Sequence, residues 1–319
     1  MKYPTLLVAT DLLPKTDAAV ARAARLATSL RADCTLLHAF STDARDGSVP
    51  KRTRESVVHL SAIAAQDGWP AEQPVSVLAR AGAAANVIVE AASELRADLL
   101  VLGPHANRSG MPGRIATAFG GTIAERVLAA RVCPVLIARE PPRGAYRRIL
   151  LALDLSRTAL QAVRTAESLV MTPEADMSVL HSLVAPYFDT VEYLGAPHGM
   201  SARTFEAFRD RATVSVRGLL RQASADFARY GIQIEDRPPA RAIIDAMDHQ
   251  EPDLLVLGTS GRRPWGRALI GSVASEVMSQ AWCDVLIVPE VAQRTTLPVD
   301  ARKSARPKLD EAQARHRWL

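Results

Sequence analysis

Asp253-Leu254-Leu255-Val256-Leu257-Gly258-Thr259-Ser260-Gly261 opens the stretch whose reading decides the fold, and Val285-Leu286-Ile287-Val288 closes it. Four apolar residues in a row suit a short strand buried on both faces, as in a parallel sheet. The chain then turns through its glycines and a basic loop, Arg262-Arg263-Pro264-Trp265-Gly266-Arg267. Gly271-Ser272 starts a helix whose apolar Val273 and Val277 fall one turn apart on one face. The closing apolar run is a second buried strand. Strand, glycine loop, helix, strand is the unit from which the rest follows.

The spacing is glycine, two residues, glycine, nine residues, glycine, serine. Glycines admit an anion to backbone N–H groups without a Cβ in the way. A helix N-terminus adds unpaired donors and the positive end of a dipole. Ser272 offers a hydroxyl at the first turn, and Arg262, Arg263 and Arg267 offer positive charge. Two readings stand: a phosphate-binding loop, or a strand-to-helix turn whose glycines serve geometry alone.

The unit belongs to a chain written twice. Leu6-Leu7-Val8-Ala9-Thr10-Asp11 returns 143 residues on as Ile149-Leu150-Leu151-Ala152-Leu153-Asp154, and Asp33 to His38 returns as Asp176 to His181 at the same offset. Asp98-Leu99-Leu100-Val101-Leu102-Gly103 returns 155 residues on as Asp253 to Gly258, and Cys133 matches Cys283 at 150. In the first half strands are predicted at 5–10, 34–40, 75–79, 98–103 and 133–138, with helices at 14–30, 54–66, 85–95 and 121–130 between them. This alternation implies parallel strands, right-handed crossovers and helices on both sheet faces. In the second half 203–230 reads as one long helix, with Phe205, Phe208, Leu219, Leu220 and Phe227 as apolar markers. The segment 184–200, with Pro186, Gly195, Pro197 and Gly199, reads as a mobile loop or lid, and 140–144 as the interdomain linker. The expected domains are 1–140 and 146–290, followed by a disordered basic tail over 291–319.

Composition narrows the class. Hydrophobic residues make up 48% of the 319 and charged residues 23%, the balance of a soluble globular protein with room for two cores. No apolar run approaches the ~20 residues of a membrane span. Met1-Lys2-Tyr3-Pro4 leads straight into a strand without a signal-peptide pattern, so the expectation is a cytoplasmic protein. Three cysteines without CxxC spacing give no zinc framework; Cys133 and Cys283, each just before a last strand, read as small buried residues. The net charge of +5 is mostly local, because the tail from Val291 carries seven Lys/Arg against three acidic residues. A nearly neutral body argues against broad nucleic-acid binding.

Ligands of doubly wound sheets lie at the carboxyl ends of the strands, at the topological switch point. Three segments of the second half should meet there: Ala152-Leu153-Asp154, His181-Ser182-Leu183 and the glycine loop. Asp154 suits a ribose hydroxyl or a base amino group; its competing role is a helix N-cap, for which Ser156 is a rival. His38 and His181 recur in register at strand ends. With no HExxH and no carboxylate cluster beside them, they read as hydrogen-bonded structural residues.

Both halves resemble the universal stress protein family, and the whole chain resembles its tandem, two-domain members. The resemblance rests on Leu151-Ala152-Leu153-Asp154-Leu155-Ser156, Leu180-His181, Leu257-Gly258-Thr259-Ser260-Gly261, Gly271-Ser272-Val273 and Val285-Leu286-Ile287-Val288-Pro289. It spans about 1–139 and 147–290. It implies an α/β fold of two doubly wound, five-stranded parallel-sheet domains, Rossmann-like and similar to the adenine nucleotide alpha hydrolases. It also implies ATP, with or without magnesium, held by residues matching Asp154, Ser182, Gly258, Gly261, Arg262, Gly271, Ser272 and Val273, with Ala152, Leu153 and Leu257 flanking them. Pairing through the last strands, 133–138 and 283–288, is implied too, within one chain or in a homodimer.

The first half departs from the pattern. Seventeen residues separate Gly103 from Gly121 where the second half has twelve, and Ala106 stands where Gly261 does. In the second half Pro238-Pro239 takes the place expected for a glycine like Gly82, and Ala274 stands where a hydroxyl residue is common. No Walker GxxxxGK[ST] occurs and no carboxylate is evidently placed as a base beside the phosphates. The expectation is a stress-linked sensor or regulator that binds ATP in its C-terminal domain, is not an enzyme and hydrolyses ATP slowly at most. The alternative is an interaction scaffold that binds no nucleotide; an adenylating enzyme is a weaker third reading.

Overall fold

A computed structural model describes residues 5–12, 18–41, 48–66, 69, 75–103, 123–169, 174–183, 202–259 and 271–290. The first half runs β1 (Thr5–Ala9), α1 (Ala18–Leu30), β2 (Asp33–Phe40), α2 (Val49–Gln66), β3 (Val75–Ala81), α3 (Ala84–Glu94), β4 (Leu99–Leu102), α4 (Ile123–Ala130) and β5 (Val135–Ile137). The second runs β6 (Arg148–Ala152), α5 (Arg157–Leu169), β7 (Asp176–Ser182), α6 (Ala202–Ala223), β8 (Tyr230–Glu235), α7 (Pro239–Gln250), β9 (Leu254–Thr259), α8 (Ser272–Gln280) and β10 (Asp284–Pro289). Both halves are α/β, and each shows the expected alternation. The segment 184–200, expected as a loop or lid, and the tail 291–319 lie outside the described residues.

The strands form one sheet in the order β3-β2-β1-β4-β5-β10-β9-β6-β7-β8. Every neighbouring pair is parallel except β5 and β10, which meet antiparallel with Leu136 opposite Leu286. Two five-stranded parallel sheets are thus joined through their last strands, within one chain. Strand side chains alternate between two apolar layers. Leu254, Val256, Leu286 and Val288 face one layer with α1, α2, α5 and α6, while Leu255, Leu257, Val285 and Ile287 face α3, α4, α7 and α8. Each layer runs across both halves, because β5 and β10 present matching residues to it. Cys34, Cys133 and Cys283 are buried, and burial raises the thiol of Cys283 to about 12, so it stays protonated.

Two element boundaries differ from the sequence reading. The helix expected over 203–230 ends at Ala223. The Ser224 hydroxyl accepts the Asp226 N–H at 3.2 Å, a short 3-10 turn covers Phe227–Arg229, and Tyr230 begins a strand. Phe227 packs on the core beside α6, while the buried Tyr230 pairs with Met177 and donates its hydroxyl to Glu167. Both continue an apolar pattern without continuing the helix. Phe208, expected as a core marker, is 46% exposed, whereas Leu220 is fully buried. In the first half α2 begins at Val49 rather than near Arg54. Pro50 falls in its first turn, where no intrahelical N–H is needed.

The seam contains a buried polar cluster that the sequence did not reveal. Asp284 accepts the Arg22 Nε–H and the Tyr146 hydroxyl on Oδ2, both at 2.7 Å, and the Arg139 backbone N–H on Oδ1 at 2.8 Å. The Arg22 guanidinium also lies 4.2 Å from the Tyr146 ring centroid. Burial, reinforced by the Asp284 charge, pushes the Tyr146 phenol well above its usual value, so it remains a donor.

Candidate functional site

Register brings the predicted segments to one edge. Ala152 pairs with Leu180 on one side and Leu257 on the other, so Asp154, two residues past β6, comes to the same edge as Ser182, the last residue of β7, and Gly258, the last but one of β9. The gap between β6 and β9 is the switch point, since the chain goes outward from β6 to β8 before returning to β9. Leu153 and Leu257 are 4% and 3% exposed and their side chains belong to the two core layers. They can meet a ligand only through backbone.

The turn after β6 resolves the rivalry between Asp154 and Ser156. Leu155 is left-handed at φ 60, and the Ser156 hydroxyl accepts the Ala159 N–H at 3.3 Å, which makes Ser156 the N-cap of α5. The exposed Asp154 accepts the Ser156 N–H at 3.1 Å and does not cap the helix. His181 Nδ1 lies 2.6 Å from the Leu153 carbonyl oxygen, and His38 Nδ1 lies 2.9 Å from that of Thr10. A carbonyl can only accept, so Nδ1 carries the hydrogen in each. Both histidines clip the end of a first strand to its neighbour, the structural role read from their recurrence. Among the described residues no group of His, Cys, Asp and Glu could hold a metal ion.

The Ser182 hydroxyl donates to the carbonyl of Arg237, a residue the sequence reading missed. Strand pairing sets His181 opposite Ile234 and His38 opposite Ala79. At that register Gly82 corresponds to Arg237, not to the Pro238-Pro239 pair, which instead supplies the N-cap and first residue of α7. The 155-residue offset of the fourth strands carried this signal. Arg237 donates Nε–H and Nη2–H to Glu235 Oε2 at 3.0 and 2.6 Å, and Nη1–H to Asp245 at 2.6 Å. Burial would raise the Glu235 carboxyl, but hydrogen bonds from Gln233 and Arg237, with the Arg237 charge, hold it below the usual range.

The glycines divide into two kinds. Gly82 sits at φ +144, and a Cβ there would meet Val87 Cγ2 at 2.9 Å, so the backbone requires glycine. Gly258 and Gly271 are under no such constraint among the described residues. A Cβ at Gly258 would sit in ordinary contact with Thr158 at 3.4 Å, and one at Gly271 would meet nothing within 4 Å. Gly271 has φ −55 and ψ 148, open to any residue, and is the N-cap of α8 without a side-chain cap. The first intrahelical bond runs from the Ser275 N–H to the Gly271 carbonyl at 3.0 Å. The N–H groups of Ser272, Val273 and Ala274 therefore have no acceptor within the helix. No acidic residue occupies its first turn. Ser272 is exposed, Val273 half-buried and Ala274 buried. Gly261 and Arg262 lie outside the described residues.

A doubly wound sheet that brings Asp154, Ser182 and Gly258 to its switch point, with an α8 N-terminus that has no side-chain cap among the described residues, defines an α/β protein of the doubly wound class. The profile of the universal stress protein family matches residues 2–139 and again 145–289. The chain belongs to that family, as a tandem member with two copies of its domain. A universal stress protein of Thermus aquaticus is 30% identical over 147 residues, which cover 45% of this chain and 98% of that one. Universal stress protein E of Salmonella typhi is 22% identical over 184 residues, 52% of this chain and 54% of the relative. The crystal structure of a universal stress protein from Archaeoglobus fulgidus superposes with a TM-score of 0.61 at 16% identity, covering 91% of this chain and all of that one. That structure shares the fold.

Proposed function

We propose that the second domain binds ATP, and that the protein serves as a stress-linked sensor or regulator rather than as a catalyst. One observation carries the reading: among the described residues nothing at Gly258 or Gly271 demands a glycine, and the two flank the switch point where the first N–H groups of α8 have no acceptor within the helix. Glycine without a packing reason is what close approach of a phosphate to the backbone calls for. In this reading Asp154 takes the ribose hydroxyls, while Ser182, held on the Arg237 carbonyl, lines the nucleoside side. Gly258, Gly261, Arg262, Gly271, Ser272 and Val273 hold the phosphates, with magnesium as an accompanying ion. Ala152, Leu153 and Leu257 form the floor.

Calorimetric titration of ATP into wild type and Gly271→Asp tests it. Among the described residues nothing fills the space at Gly271, and its extended backbone suits an aspartate N-cap, so the variant keeps its circular dichroism spectrum. Its carboxylate then occupies the helix donors and repels phosphate; unit charges 4 Å apart at an effective dielectric of 20 interact by about 4 kcal/mol. Saturable binding in wild type and none in the variant is the expected result. Equal binding by both would move the nucleotide elsewhere. No binding by wild type would favour the interaction scaffold, for which Phe208 and Val214 on α6, 46% and 69% exposed, are the supporting observation.

A further inference from the structure

The seam is asymmetric in a way that reaches the second domain's edge. Arg139 leaves β5 and turns into the second half, where its Nη2 donates to the Met278 carbonyl at 2.6 Å. Met278 lies in the last turn of α8. The orphan carbonyls of a helix C-terminus favour a cation, and Arg139 supplies both charge and a donor. The backbone N–H of the same residue binds Asp284, the first residue of β10, whose other oxygen is held by Arg22 of α1 and by Tyr146 of the connector. Arg22 Nη1 adds a bond to the Gly144 carbonyl at 3.1 Å. The unit from α8 into β10 is therefore gripped at its far end by Arg22 and Arg139 of the other half, together with Tyr146.

Among the described residues the first half receives nothing equivalent. At the offset that pairs Cys133 with Cys283, Asp284 corresponds to Pro134 and Arg139 to Pro289. Proline has no N–H and no cation, so the end of α4 is not held in this way. The asymmetry tracks the glycines: the braced helix is the one preceded by the full glycine pattern. A helix of nine residues is a rod of about 13.5 Å, and fixing its C-terminal end fixes where its N-terminal donors point.

We propose that Arg139 is a positioning residue for the anion-facing helix of the second domain, and that the first domain acts as its built-in brace. The assignment rests on the nucleotide reading above. Arg139 touches no ligand; it acts through the orientation of α8.

The test uses the full chain as Arg139→Met and Arg139→Lys, with two readouts. Hydrogen exchange without nucleotide should accelerate across α8 in R139M while β6, β7 and α7 keep wild-type rates. ATP affinity in R139M should fall about three- to tenfold, the scale of a helix-end charge, and R139K should recover part of it. If α8 exchanges at the wild-type rate, or all elements accelerate alike, the brace is wrong. If wild type binds ATP and R139M binds it equally well, the brace is again overturned while the nucleotide reading stands. If wild type binds no ATP, the nucleotide reading falls and the proposed positioning role falls with it, whatever α8 does. Should R139M fail to fold, R139K, which keeps the cation and loses the guanidinium fork, carries both comparisons.

Discussion

At the turn after the third strand of each half, the first domain has Gly82 and the second has Arg237. The first makes its turn with a left-handed glycine wedged against Val87, while the second makes it with Pro238 and no left-handed residue. Two positions earlier Arg80 forms a bidentate pair with Glu94 of α3, where the second domain has Glu235 bonded to Arg237. The same strand register thus carries reversed charges. The lesson concerns glycine: in the domain with the broken loop pattern it is a steric necessity, and in the other it is spare. A spare glycine says more about a ligand than a required one.

The seam offers the strongest way to break this contrast. Asp284 has a buried arginine and tyrosine on it, and Pro134 holds its place in the other half. Asp284→Ala leaves the Arg22 charge buried without its partner and should cost about 3–5 kcal/mol in urea unfolding. Pro134→Ala should cost far less. Equal losses would mean that the two halves are interchangeable at the seam.

Glycine substitutions sharpen the contrast next. Gly82→Ala meets both a left-handed backbone and a 2.9 Å contact and should lose about 2–3 kcal/mol. Gly258→Ala should change stability by no more than about 1 kcal/mol, since its Cβ enters ordinary contact. Denaturation midpoints of the pair decide the matter; comparable losses would return Gly258 to a purely geometric role.

The smallest effect separates the two residues of the turn after β6. Ser156→Ala removes the cap of α5 and should cost about 1 kcal/mol. Asp154→Ala, at an exposed position, should cost about half that or less. If Asp154 proves the more costly, the carboxylate serves the fold and its assignment to a ligand weakens.

Much of this architecture was legible because apolar runs such as Leu99–Leu102 and Leu254–Leu257 recur at fixed offsets, and a strand buried on both faces has few other sequence forms. The convergence of Asp154, Ser182 and Gly258 followed from the switch-point rule alone. The end of α6 was not legible, since Phe227 and Tyr230 prolong an apolar pattern while serving a turn and a strand. Arg237 was missed by taking the prolines as the glycine's counterpart, although the 155-residue offset pointed to it. Asp284 was beyond reach: its partner Arg22 lies 262 positions away, and no local pattern marks a carboxylate that a distant arginine will neutralise.

The acid at position 284, whose counterpart in the first half is a proline at 134, also bears on how such a sheet can diverge. In a symmetric pair of identical chains every substitution appears twice across the twofold axis, so an acid placed at one end of the seam also appears at the other. Joining the halves covalently removes that duplication and makes their association independent of protein concentration. One copy is then free to specialise as a support and the other as a binder. The antiparallel meeting of β5 and β10 also turns the carboxyl edges of the two copies toward opposite ends of the sheet. A partner reading the second domain's edge approaches from the end where the first domain shows only its amino edge, and so would sense one copy at a time.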